Sequence, residues 1–520
     1  MHIQPTAGRA EQFEADALIL SCFEDAEPGA ALDAVDHALS GLLADLMLWG
    51  DFSGKDGEIT VLYPQGRIPA RRVIVVGLGK RARFSLEVIR RAAAQGSLKA
   101  RELKAKQVAS EIHGLGLLPL REIAQAISEG SLLALYKYNG QKSTDTPSAS
   151  PETIHILTIN GQADEVAKGV ASGTAIAAGV QLARDLVNLP PNVCTPSHMA
   201  KIALELASTT GLEATILSKP QMEALKMGAF LGVTQGSETP PQFIVLEHNA
   251  ERTDYETVVL IGKGVTFDTG GYSLKTSDGM TTMKGDMAGG AAVIGAMGAI
   301  AGLKLPLRVI GLVPAAENMV SGKAFRPQDV LIASNGLSIE VMNTDAEGRL
   351  LLADALVFAE RYKPAAVIDI ATLTAISASA MGKGIASSLF STDEDVTSWL
   401  MQAGQATAER VWPMPLYPEY DKALESSTAD LKNVGGQYGG MGTSAAFLKR
   451  FTTAPRWAHI DMAGMNFDLP DTPYMPKGAS GYGVRLLTAF VQEWITKRSD
   501  AAGAATVETD EAPAVVPAAV

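Results

Sequence analysis

The chain has 520 residues, with 44 basic and 57 acidic side chains and a formal net charge of −13. An acidic balance argues against a general nucleic-acid binder, which would show a basic excess or stripe, so nucleic acid is not an expected partner. Two cysteines, Cys22 and Cys194, cannot build a disulfide framework, and a reducing, cytoplasmic setting is the simpler expectation.

The opening residues lack a basic start followed by an apolar run, so no signal peptide is expected. RRVIVVGLG (71–79) is a β-rich run that ends in glycines, and SLEVIRRAAAQ (85–95) has a serine cap and helical apolar spacing. Residues 142–153, rich in Ser, Thr and Pro, predict an exposed loop, and 154–160 one more strand. A long helix is expected over 165–188, stopped by Pro190 and Pro191. Beyond it, FIVLEH, TVVLIG, LRVIGLVP and AAVIDIATL are strand-like, and 290–303 and 350–362 are helical. The uncharged stretch 287–303 is too short and too rich in Ala and Gly for a membrane span, so it predicts a buried helix and no membrane association.

Alternating strands and helices predict an α/β chain. The expected organisation is a smaller N-terminal α/β domain over 1–162 and a linker helix over 163–189. A larger α/β catalytic domain with a mainly parallel central sheet follows over 190–497, then a disordered tail over 498–520. In such sheets the chemistry sits beyond the carboxyl ends of the strands.

Gly77, Gly79 and Ala82 nominally spell a dinucleotide fingerprint, but the following helix starts only near Ser85 and basic residues crowd the turn. A plain glycine turn at a strand end is the better reading. Seven histidines show no HExxH or HxxxH pair, which leaves a histidine-based zinc site without support. His459, among apolar neighbours, is expected in the core or behind the site. Met280, Met283 and Met287 are expected to pack and line a pocket. Trp412, Trp457 and Tyr438 suit core or subunit contacts better than base stacking.

Two segments carry chemistry. GKGVTFDTGGYSLKTSDGMTTMKGDMAGG (262–290) places Lys263, Asp268, Lys275, Lys284 and Asp286 in loops at a strand end. VMNTDAEGRLLLADAL (341–356) alternates Asp345, Glu347 and Arg349 just before a helix. On an extended segment alternate residues face one side, so Asp345 and Glu347 are expected to converge. Four carboxylates in glycine-rich, apolar loops need neutralisation. Two divalent ions ~3.5–4 Å apart, sharing a polarised water, would supply it. Salt bridges to Lys263, Lys275 and Arg349 are the alternative.

NTDAEGRL with GKGVTFD…GG…SLK…MKGDM resembles the leucyl aminopeptidase family of cytosolic exopeptidases. LVNLPPNVCTP, DLKNVGG and WAHIDMAG add to the resemblance, which covers roughly residues 175–490. The resemblance implies that Lys263, Asp268, Asp286, Asp345 and Glu347 are metal ligands, with Asp268 and Glu347 bridging two ions. It implies that Lys275 and Arg349 are catalytic, with bicarbonate on Arg349 as general base. It implies Mn or Zn, with Mg or Co as alternatives, and a homohexamer. The substrates it implies are peptides with a free N-terminus and a leucine or other apolar first residue. By resemblance the pocket for that side chain involves Met283, Thr372, Ala375 and Ala463. The family usually has Ser where Thr269 stands, a small aliphatic residue where Tyr272 stands, and often Gly where Ala375 stands. The extra methyl of Ala375 is expected to narrow the pocket. Two other functions compete: a two-metal phosphoesterase, and a nucleotide- or partner-binding protein acting through the N-terminal domain.

Overall fold

In a computed structural model, residues 1–144, 150–159, 161–469 and 472–510 are described, with side chains as far as Ser499. The middle of the expected 142–153 loop therefore lies outside the described residues.

The first sheet comprises β1 (His2–Ala7), β2 (Ala17–Cys22), β3 (Ile59–Leu62), β4 (Val73–Gly77), β5 (Gln107–Ser110) and β6 (Thr153–Thr158). Their order is β1-β6-β5-β2-β4-β3, and only the β3–β4 pair is antiparallel. β2 and β4 are buried at every residue, as apolar strands covered on both faces must be. Helix Leu86–Glu102 starts where Ser85 accepts a hydrogen bond from the Val88 N–H. Gly77 has a packing reason: a Cβ there would lie 1.9 Å from the Lys55 carbonyl oxygen. The glycine lets another backbone segment approach, as expected of a turn rather than a nucleotide cradle.

The second sheet contains β7 (Glu213–Leu217), β8 (Gln242–His248), β9 (Thr257–Gly262), β10 (Gly264–Asp268) and β11 (Arg308–Asn318). A small side sheet contains β12 (Val330–Ile332) and β13 (Ser338–Glu340). The main sheet resumes with β14 (Ala366–Ala371), β15 (Ser387–Ser391) and β16 (Val411–Pro413). The side sheet then gains β17 (Leu431–Lys432), and β18 (Trp457–Asp461) completes the main sheet. The main order is β16-β15-β18-β14-β9-β11-β8-β7, with β10 paired to β11. The central run β18-β14-β9-β11 is parallel, while β7, β8 and the β15–β18 pair are antiparallel. The chain is thus a two-domain α/β protein with mixed, mostly parallel sheets.

Helix Ala163–Asn188 joins the two blocks. Gly169 and Gly173 let it lie on the backbone of helix Leu120–Ala134, near Arg121 and Gln125. Further along, Gly179 meets Gly295 of helix Ala288–Leu303, and a Cβ on either would approach the other's carbonyl oxygen within 2.4 Å. This contact explains the small-residue composition of 287–303. Two helical stretches, Ala163–Asn188 and Ser277–Leu303, are long and apolar enough to cross a membrane by composition. In the second, 83% of the relevant window is buried inside the fold, which matches the buried helix expected.

The closing helix runs Val484–Asp510, so the tail expected to be disordered from 498 is helical as far as Asp510. Its alanines favour helix, and a helix already nucleated on the core extends at little cost. Residues 511–520 lie outside the described residues.

Candidate metal centre and active site

The parallel strands end together, and the chemistry-bearing residues sit at those ends. Lys263 joins β9 to β10, where Gly290 N–H donates to its carbonyl at 2.7 Å. Asp268 is the last residue of β10, beside Asn318 at the end of β11. Its Oδ1 accepts from Asn318 Nδ2 and from the Gly270 N–H, both at 2.8 Å. Asp286 follows a short 3-10 turn and precedes helix Ala288–Leu303, and Thr372 Oγ1 donates to its Oδ1 at 2.8 Å. Lys275 returns to the cluster because its N–H bonds to the Thr269 carbonyl.

Asp345 and Glu347 reach the cluster by a different route from the one expected. Residues 344–345 form a turn, and Glu347 is already in helical conformation as the cap of helix Gly348–Ala359. The alternation argument therefore fails, because the segment is not extended. Turn and helix start nevertheless bring both carboxylates to the site.

Two lysines lie among four carboxylates. Lys263 Nζ is 2.9 Å from Asp286 Oδ2 and 2.7 Å from Glu347 Oε1. Lys275 Nζ is 2.8 Å from Asp268 Oδ2 and also pairs with Asp345. Asp268, Asp286 and Glu347 are all buried, and one ligand atom of each lies within 4.8 Å of the others. Glu347 Oε2 is buried without a hydrogen-bond donor, while Glu347 Oε1, Asp286 Oδ2 and Asp345 Oδ1 face the two lysine ammonium groups.

The electrostatics show the strain in this arrangement. Burial, reinforced by neighbouring carboxylates, pushes Asp286 well above the carboxylate range, raises Glu347, and brings Asp345 up to about 6. Burial pulls Lys263 down, but Asp286, Glu347 and Asp268 together outweigh it and hold the ammonium up. Lys275 is likewise held up, chiefly by Asp268 and Glu347 against burial. Carboxylates that resist ionising side by side, with hard oxygens converging on one buried point, fit divalent cations. The donor set therefore suits the metal centre that the sequence implies.

Arg349 lies in the first turn of its helix. Its Nη1 donates to the Asn433 carbonyl at 2.8 Å, while Nε is buried without a partner. Burial lowers its pKa to about 10. An under-bonded guanidinium at a cleft is suited to an anion.

A cleft of about 430 Å³ opens over the cluster. It is lined by Lys263, Asp268, Lys275, Asp286, Asp345 and Arg349 and by all four pocket candidates, Met283, Thr372, Ala375 and Ala463. Glu347 lies beneath it. Met287 is buried and Trp457 is in the core, whereas Trp412 and Tyr438 are exposed. His459 is buried within β18, with Nδ1 2.5 Å from Asp369 Oδ1, and Trp457 Nε1 donates to Asp369 Oδ2. Lys284 takes no part in the cluster; its Nζ donates to the Asn188 carbonyl. Sequence reasoning missed Asn318 and Asp461 as organisers of the site. The available signal was a polar residue closing an apolar strand, in LVPAAEN and WAHID.

Residues 181–488 match the cytosol aminopeptidase family, catalytic domain, and residues 19–145 match that family's N-terminal domain. The chain belongs to the cytosol aminopeptidase family. A probable cytosol aminopeptidase of Roseiflexus castenholzii is 43% identical over 497 residues, covering 95% of this chain and 99% of the relative. Another, from Geobacter sp. (strain M21), is 42% identical over 493 residues, covering 95% and 100%. Among solved structures, a mutant of tomato leucine aminopeptidase superposes with a TM-score of 0.84 at 33% identity, covering 94% of this chain and 96% of that one. The bottromycin maturation enzyme BotP in complex with Mn gives 0.80 at 32% identity, covering 92% and 99%. This member of the cytosol aminopeptidase family is a metal-dependent aminopeptidase, a hydrolase that acts on peptides. The phosphoesterase and nucleotide-binding readings are not favoured.

Proposed function

We propose that the chain removes an N-terminal leucine or other apolar residue at a two-metal centre held by Lys263, Asp268, Asp286, Asp345 and Glu347. The observation that carries this reading is the convergence of these side chains at the ends of the parallel strands, where ligand atoms of buried Asp268, Asp286 and Glu347 lie within 4.8 Å of one another. Mn or Zn is the proposed metal, and Mg or Co fits the same oxygens. When bound, such a pair supplies a polarised water as nucleophile and holds the substrate's free α-amine and scissile carbonyl.

The residues divide the remaining work. Lys263 must shed its proton to ligate, since an ammonium has no lone pair. Lys275 keeps its proton and donates to the oxyanion that develops on the carbonyl. Arg349 would hold bicarbonate, which would supply general-base chemistry. Met283, Thr372, Ala375 and Ala463 enclose the first side chain of the substrate, and the Ala375 methyl shortens the space. A homohexamer and a cytoplasmic location are part of the same proposal, supported by the family and by its relatives' names.

The test is hydrolysis of leucine p-nitroanilide before and after chelation. Activity should vanish with the metal and return with manganese, and N-acetyl-leucine p-nitroanilide should resist cleavage throughout. Equal turnover of blocked and free substrates, or full activity in metal-free protein, would refute the reading.

A further inference from the structure

Two neighbouring loops line the cleft side by side. One follows β14 and carries Thr372, Leu373, Thr374 and the start of helix Ala375–Met381. The other follows β18 and carries Met462 and Ala463. A single buried carboxylate, Asp461, ties them together. Its Oδ1 accepts from the Leu373 N–H at 3.1 Å, the Thr374 N–H at 3.3 Å and the Ala463 N–H at 3.2 Å. Its Oδ2 accepts from Thr374 Oγ1 at 2.6 Å, and its carbonyl accepts from Ser377 Oγ at 3.2 Å. Thr374 in turn caps the helix through the Ser377 N–H. Asp461 does not line the cleft, but its bonding partners Leu373, Thr374 and Ala463 do, as do Thr372 and Ala375 beside them.

We propose that Asp461 is a positioning residue that sets the width of the pocket for the substrate's first side chain. The proposal rests on the assignment of Thr372, Ala375 and Ala463 to that pocket. Charge-assisted hydrogen bonds from one carboxylate to both loops hold their separation more tightly than apolar contact between them would. A neutral loop-to-loop contact would let the loops drift, and a pocket discriminates by methylene-sized differences. The carboxylate thereby converts two loop ends into one rigid rim.

The readout is the ratio of kcat/KM for leucine and alanine p-nitroanilides, with bound metal and Tm measured alongside. Thr374→Val removes one leg of the clamp at nearly constant volume and should lower the ratio about threefold, mainly by raising KM for the leucine substrate. Asp461→Ala should lower it by about tenfold with bound metal unchanged, and Asp461→Asn, which keeps an acceptor for the three N–H groups, should restore most of the ratio. Ala463→Val serves as the control on the pocket itself and should also change the ratio. If Ala463→Val leaves the ratio unchanged, the pocket is misassigned. If Ala463→Val shifts it while Thr374→Val and Asp461→Ala reduce only Tm, or slow both substrates equally, the clamp has no such role. Should Asp461→Ala fail to fold, an unchanged ratio in Thr374→Val alone overturns the proposal.

Discussion

At the scale of single residues, the proposed assignment gives the two lysines of the site opposite jobs with the same functional group. Lys263 sits between Asp286 and Glu347, buried, while Lys275 stands between Asp268 and Asp345 nearer the opening. A ligand lysine must be neutral, and adjacent dications would drive its proton off. A lysine that stabilises an oxyanion must stay charged. Lys263→Arg should therefore lose metal, because guanidinium offers no lone pair. Lys275→Ala should retain metal and lose roughly 10²–10³ in kcat. Metal content and kcat on both variants decide between the roles; retention of two ions in Lys263→Arg with loss in Lys275→Ala would reverse them.

At the scale of elements, helices carry the site by being locked to their neighbours. Helix Gly348–Ala359, which begins at Glu347, is cross-tied through Asp354, whose oxygens accept from the Phe230 N–H at 2.8 Å and the Ser334 N–H at 2.7 Å. Burial pushes the Asp354 carboxyl from 3.8 up to about 6, against the pull of those N–H groups. A folded pKa above the unfolded one means that the native state binds the proton more tightly. The associated stability is full below about pH 4 and is lost as pH rises through about 6, amounting to roughly 3 kcal/mol at most. Asp354→Asn should flatten that slope in urea titrations run between pH 4 and 7; parallel profiles would contradict the assignment. Helix Ala288–Leu303 depends instead on close approach. Gly295→Ala would drive a methyl towards the Gly179 carbonyl and should cost ~1–3 kcal/mol, read as a fall in Tm.

At the scale of the whole molecule, the N-terminal domain is fastened to the catalytic domain by buried charge. Arg90 Nε donates to Glu129 Oε2 at 2.7 Å within the first domain, and Arg90 Nη1 donates to the Ala406 carbonyl in the second at 2.9 Å. Tyr474, on the catalytic side, donates to the Glu87 carboxylate at 2.8 Å. Arg90→Met removes the salt-bridge partner of buried Glu129, leaving it the Gln125 Nε2 hydrogen bond at 2.7 Å, and should cost ~3–5 kcal/mol. Adding Glu129→Leu should recover part of that, because an apolar pair tolerates burial better than a lone charge. Calorimetry on both variants checks this: a double variant no more stable than the single one would show that charge burial is not the cause.

Much of this was legible in the chain itself. Strand and helix periodicity, the Ser85 cap and the proline stop after helix Ala163–Asn188 are local, because backbone propensity and apolar spacing act within a few residues. The acidic and lysine motifs were legible as charges in apolar loops that need neutralisation, but their spacing left metal ions and salt bridges both open, and the family resemblance pointed to metal. Asn318 and Asp461 showed in the sequence only as polar residues closing apolar strands, and Thr374 not at all: their partners lie 50 to 90 residues away, and only β10–β11 and β14–β18 pairing brings them near. The turn at residues 344–345 was likewise decided by tertiary contacts, since Thr344 Oγ1 donates to the Gly270 carbonyl and Asn318 Nδ2 donates to the Thr344 carbonyl. The sequence by itself determined which side chains could hold ions and which segments would become strands and helices. Only the tertiary structure decided how those side chains meet, because strand order and loop-to-loop hydrogen bonds depend on contacts between residues far apart in the chain.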